Sequence, residues 1–66
     1  MTGQIVSITA GRFGFIRPDE KGKDIFLHHS ELIDLVWDDS LLHQRVQFEL
    51  QDSPKGPRAI NVRPLN

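Results

Sequence analysis

Gly11-Arg12-Phe13-Gly14-Phe15-Ile16 is followed nine residues later by Ile25-Phe26-Leu27-His28-His29, and these two runs point to the architecture of the chain. Both runs carry aromatic residues at alternate positions, and side chains along a strand alternate between faces. Read as strands, the first puts Phe13, Phe15 and Arg17 on one face and Gly14 and Ile16 on the other. The second puts Phe26 and His28 on one face, with Ile25 and Leu27 opposite. The aliphatic residues suffice for a core, which leaves a sheet surface bearing three phenyl rings, an imidazole and arginines. Such a surface suits single-stranded nucleic acid, whose bases stack on flat side chains.

Outward from these runs the chain reads as further short strands. Gln4 to Thr9 is rich in β-branched residues (Ile5, Val6, Ile8, Thr9) and reads as a strand. Ala10-Gly11 makes a short turn, Arg12 to Arg17 is the second strand, and Pro18 ends it because proline cannot donate to the ladder. Pro18-Asp19-Glu20-Lys21-Gly22 has the composition of a turn, and Asp24 to His28 is the third strand. These three strands, joined by short polar loops, predict an antiparallel meander. Ser30 is placed to cap one turn of helix through Glu31-Leu32-Ile33, and Asp38-Asp39-Ser40 reads as a turn. Arg45 to Gln51 alternates, with Val46, Phe48 and Leu50 on one face and Arg45, Gln47, Glu49 and Gln51 on the other. Asp52-Ser53-Pro54-Lys55-Gly56-Pro57 is a strong turn signal, and Ala59 to Arg63 closes the pattern. The expectation is an all-β fold: a single domain over residues 1–66, built as a five-stranded antiparallel barrel of the oligonucleotide-binding type.

Composition bounds what such a barrel does. A chain of 66 residues buries only about 60% of the surface its unfolded form exposes. No cysteine is present to add a disulfide or a thiolate metal site, which fits a reducing compartment. Met1-Thr2-Gly3-Gln4 is not a basic region followed by an apolar run, and no stretch approaches the roughly 18 apolar residues of a membrane span. A soluble, cytoplasmic protein without membrane partners is expected. Eight Lys and Arg against nine Asp and Glu give a formal charge of −1, where nucleic-acid binders usually show a basic excess. The charges are unevenly spread, however. Glu31, Asp34, Asp38 and Asp39 share the middle segment; Arg12, Arg17, Lys21 and Lys23 flank the aromatic runs; Lys55, Arg58 and Arg63 lie near the C-terminus. A locally basic face on a near-neutral protein is compatible with that order.

Three segments, Gly11 to Ile16, Asp24 to Ser30 and Pro54 to Val62, occur in the order and spacing of the cold-shock domain, which the chain closely resembles from Gly3 to about Arg63. That family is a five-stranded barrel that binds single-stranded RNA and DNA, and the resemblance implies an RNA chaperone of the stress-response type, usually monomeric. Its first motif, normally Lys-Gly-Phe-Gly-Phe-Ile, matches Gly11 to Ile16, and its second, typically Val-Phe-Val-His-Phe, matches Ile25 to His29. By that correspondence Phe13, Phe15, Phe26 and His28 form the base-stacking platform. Trp37 falls in the loop where the family often places a further exposed aromatic, and Lys55 where a basic residue commonly meets nucleic acid. The chain also departs from the pattern. Val6-Ser7-Ile8 stands where Lys-Trp-Phe is usual, the loop before the first motif is one residue short, Arg12 replaces a glycine, and His29 replaces a phenylalanine.

Stacking on an aromatic contributes about 1–3 kcal/mol per base, so three or four platforms supply roughly 3–12 kcal/mol gross. A micromolar complex needs about 8 kcal/mol, so the loss of one tryptophan platform matters. Trp37 and Arg12 offset it in this reading, since arginine stacks on bases and also pairs with phosphate. Lys55 and Arg58 complete the candidate binding set, with His29 beside His28. Blander roles stand next to these: core residues for the three phenylalanines, a plug against Leu35 or Leu41 for Trp37, and solvated turn charges for Lys55 and Arg58. The rival function is a barrel whose aromatic face engages a protein partner, motivated by the missing tryptophan and the acidic segment from Glu31 to Asp39.

No catalytic, cofactor or small-molecule site is expected. Adjacent strand residues point to opposite faces, so His28 and His29 are not expected to chelate one ion, and His43 stands alone. Ser30 follows His29 without a glycine elbow or a third catalytic member. Gly11 and Gly14 lack the Gly-Lys-Ser/Thr ending of a phosphate loop. Dimers by strand exchange would require the free edges of a partly open barrel.

Overall fold

The alternating segments form the strands of the computed structural model, which describes residues 1–20 and 22–65. Five strands are present: β1 (Thr2–Ile8), β2 (Phe13–Pro18), β3 (Ile25–His28), β4 (Arg45–Gln51) and β5 (Arg58–Pro64). They close into a barrel in the order β1-β2-β3-β5-β4. An odd number of strands cannot alternate direction all the way round, so at least one neighbouring pair must run parallel. Here it is β3 and β5, joined at Phe26↔Arg58; the other four pairings are antiparallel. Closure gives every strand a neighbour on both sides, so the free edges expected of a partly open barrel are absent among the described residues. No helix there is long and apolar enough to cross a membrane.

Strand alternation delivers the core. Ile5, Ile16, Ile25, Leu27, Leu41, Val46, Phe48, Ala59 and Val62 are buried together. Gly14 faces inward among them, where a β-carbon would overlap the Ser7 carbonyl oxygen; the backbone of β1 crosses too close for any side chain. Leu50 departs from its expected place with Val46 and Phe48 and is 43% exposed. The β4–β5 register shifts between Gln47 and Glu49, and Leu50 lies beyond the shift, next to the 52–57 loop.

Between β3 and β4 there is no α-helix, only two single 3₁₀ turns, η1 (His29–Glu31) and η2 (Asp39–Leu41). Ser30 does not cap the first. His28, the last residue of β3, does so by accepting the Ser30 N–H at Nδ1, because the strand runs straight into the turn. Asp38 caps the second by accepting the Ser40 N–H at 2.8 Å. That bond and one from the Ser40 hydroxyl lower the Asp38 carboxyl below its usual range, the hydroxyl bond contributing most. Leu32 bridges to Val62, and the Ile33 N–H donates to the Val62 carbonyl at 2.7 Å, which holds the connection against β5.

Candidate nucleic-acid interface

β2 and β3 pair Phe13 with His28 and Phe15 with Phe26. Directly opposed residues share a face, and here it is the outer one, since Gly14, Ile16, Ile25 and Leu27 are buried. Phe26 sits at the centre. Its ring centroid lies 5.9 Å from Phe13 in a stacked arrangement, 6.1 Å from Phe15 edge-on and 6.5 Å from His28. Such separations are those of interacting aromatic pairs. The rings therefore support one another as a continuous surface, yet none enters the core. Phe13 is 37% exposed, and Phe15, Phe26 and His28 are half-buried.

His29 joins this surface, contrary to the expectation that it turns away from His28. Its ring centroid is 4.5 Å from that of His28, tilted by 43°. The alternation of a strand stops at His28, and His29 opens η1, so the two-residue period no longer governs where it points. Its N–H donates to the Arg12 carbonyl at 3.0 Å, tying the end of β3 to the first hairpin. His28 Nδ1 is engaged by Ser30, whose hydroxyl lies 2.8 Å away. The two imidazoles therefore do not point to opposite faces, as strand alternation alone would have it. Even so, no group of three or more His, Cys, Asp or Glu is placed to hold a metal ion among the described residues.

The remaining candidates divide into two neighbourhoods. Lys55 and Arg58 line a groove of about 420 Å³ together with Phe15, Phe26, Ser53, Pro54, Gly56 and Pro57, so they adjoin the rings directly. Arg12 and Trp37 lie elsewhere, in a recess of about 340 Å³ with Ile8, Thr9, Ala10, Asp38 and Asp39. Trp37 is half-buried and packs against the core cluster that contains Leu41, so it fills the plug role while keeping one side in the recess. Arg12 adopts a left-handed backbone (φ 63°), which explains why a glycine commonly stands at this place in the motif.

Charge is distributed less simply than its order in the sequence implies. Arg17 pairs with Asp24 at 3.5 Å, Arg45 with Asp19 at 2.6 Å and Arg58 with Glu31 at 3.0 Å. Arg63 lines a separate recess with Met1, Gln47, Phe48, Glu49 and Asn61. Lys21 lies outside the described residues.

Other groove residues were hidden in the sequence. Ser53, Pro54, Gly56 and Pro57 read only as turn formers, although the turn they make is one wall of the groove. Ser7 pairs directly with Phe15 because β1 carries an irregularity between Ile5 and Ser7. Alternation alone does not locate a bulge, so nothing in the β1 pattern marks that register.

Residues 1–65 match the sequence model of the "Cold-shock" DNA-binding domain. The chain is 42% identical over 53 residues to the probable cold shock protein A of Mycobacterium tuberculosis, covering 80% of this chain and 79% of that protein. It is 44% identical over 50 residues to the cold shock-like protein CspC of Escherichia coli K12, covering 76% and 72% respectively. Among solved structures it is similar to a Drosophila protein described as Unr CSD456, with a TM-score of 0.80 and 27% identity. That match covers 98% of this chain and 26% of the longer one. The outward aromatic surface, the closed five-stranded barrel and these matches agree: the chain belongs to the cold-shock domain family, whose members bind nucleic acid and are not enzymes.

Proposed function

We propose that this protein binds single-stranded RNA or DNA with little sequence preference, by stacking bases on Phe13, Phe15, Phe26 and His28. The observation that carries the reading is the continuous ring surface centred on Phe26, left outside a core that is complete without it. Lys55 and Arg58 flank the rings in the groove, His29 extends the surface past His28, and Arg12 with Trp37 offers a further contact beyond the first hairpin. Bases stack on such rings whatever their identity, at about 1–3 kcal/mol each. The protein then acts as a monomeric, single-domain RNA chaperone in the cytoplasm. It traps unstacked strands and shifts the hairpin equilibrium by its differential affinity for the open form, without cofactor or energy source.

Titration with heptauridine or heptathymidine, followed by Trp37 fluorescence and by the chemical shifts of the phenylalanine rings, tests this. Saturable binding that Phe15→Ala weakens by about 10-fold or more, with the thermal transition retained, is the expected result. Unmoved ring shifts at high strand concentration would reject the reading and favour a protein partner on the same face.

A further inference from the structure

Arg58 stands at the parallel β3–β5 seam, opposite Phe26, and lines the groove with Phe15 and Phe26. Its guanidinium offers five N–H donors, yet among the described residues only Nη2 is engaged, donating to Glu31 Oε2 at 3.0 Å. Nε is buried and has no hydrogen-bond partner among the described residues. The two side chains are 35% and 24% exposed, so the pair is not simply a solvated surface contact. Glu31 is also held in place. It ends η1, a turn fixed at its start by the bond from the Ser30 N–H to His28 Nδ1, and His28 belongs to the ring surface.

A fixed carboxylate therefore sits against the one arginine of the groove, where the proposed ligand would bring phosphates. We propose that Glu31 is an affinity-setting residue: it occupies Arg58 as an internal substitute for a phosphate and holds the cation back from the bound strand. The inference rests on the nucleic-acid reading above. The near-neutral charge of the protein is then partly a regulator of binding, and replacing one carboxylate converts a weak, stacking-dominated binder into a tighter and more salt-sensitive one.

The test is a double-mutant cycle of Glu31→Gln and Arg58→Gln, with heptauridine affinity measured across a salt series. Glu31→Gln keeps the size and hydrogen-bonding capacity of the side chain and removes its charge. It is expected to tighten binding by about fivefold at low salt, the upper end for a surface ion pair, as suits a partly buried one. It should also steepen the dependence of log affinity on log salt by about 0.7, the increment for one more phosphate neutralised on a single strand. In the Arg58→Gln background both effects should vanish, because Glu31 acts through Arg58. Unchanged or weaker binding by Glu31→Gln would overturn the proposal, as would a gain that persists without Arg58, which marks general charge repulsion. Binding by none of the four proteins would overturn the nucleic-acid reading together with it, whereas wild-type binding without the Glu31→Gln effect removes this inference alone.

Discussion

Ser7 lies directly across the β1–β2 pair from Phe15, and Phe15 lies across β2–β3 from Phe26, so one line of outward side chains crosses three strands. At its β1 end the line carries a hydroxymethyl group where the family's Lys-Trp-Phe pattern places a ring. Ser7→Trp should extend the stacking surface by one platform without touching the core. A gain of about 1–3 kcal/mol, or roughly fivefold to a hundredfold in affinity, is expected by calorimetric titration with heptauridine; unchanged affinity would mean that the strand does not pass over β1. Arg12 presents the opposite balance. Its left-handed backbone costs an L-residue about 1–2 kcal/mol, part of which glycine would return in unfolded-state entropy. Arg12→Gly is expected to raise the melting temperature by roughly 4–8 °C per kcal/mol recovered, measured by circular dichroism, while weakening strand binding through loss of a cation beside Trp37. An unchanged melting temperature would show that the hairpin absorbs the left-handed residue without strain.

Among the elements, the strands were legible because each alternates between an aliphatic and a polar or aromatic side. The joints between them were not. Whether Ser30 or His28 caps η1, and where His29 points, depends on the residue at which β3 stops, which the alternation does not mark. The end of β2 shows another long-range joint. Asp19 accepts two hydrogen bonds from Arg45 at 2.6 Å each and one from the Thr2 hydroxyl at 2.6 Å, while its N–H donates to the Thr2 carbonyl at 3.0 Å. One carboxylate thus joins the start of β1, the end of β2 and the start of β4. The Arg45 and then the Thr2 hydrogen bonds hold its carboxyl below the usual carboxylate value. A group whose pKa is depressed by folding adds stability that is present above its unfolded value and is lost as pH falls through the folded one. Wild type should therefore exceed Asp19→Asn in stability at neutral pH, and the difference should shrink in acid below about pH 4. Urea titrations at several pH values measure this, and a difference independent of pH would assign Asp19 a purely neutral hydrogen-bonding role.

At the level of the whole molecule, the five-stranded barrel and its aromatic side followed from the pattern of Phe13, Phe15, Phe26 and the aliphatics between them, whereas the electrostatic layout did not. The ion pairs Arg45–Asp19 and Arg58–Glu31 join residues 26 and 27 positions apart, brought together only by barrel closure. That layout decides how the molecule should respond to salt. Arg12 and Lys55 are the arginine and lysine lining the two recesses that form no ion pair among the described residues. Each phosphate neutralised on a single strand contributes about 0.7 to the slope of log affinity against log salt, so two such cations give a slope of about 1.4. Stacking is not screened in this way, and it supplies the rest of the binding free energy. Affinity for heptauridine should therefore fall only about sevenfold between 50 and 200 mM salt. A slope of about 3.5 would instead mean that Arg17, Arg45 and Arg58 leave their carboxylates when the strand binds. The resting ion pairs would then be a reserve of phosphate contacts, and the ring surface would no longer be the main source of affinity.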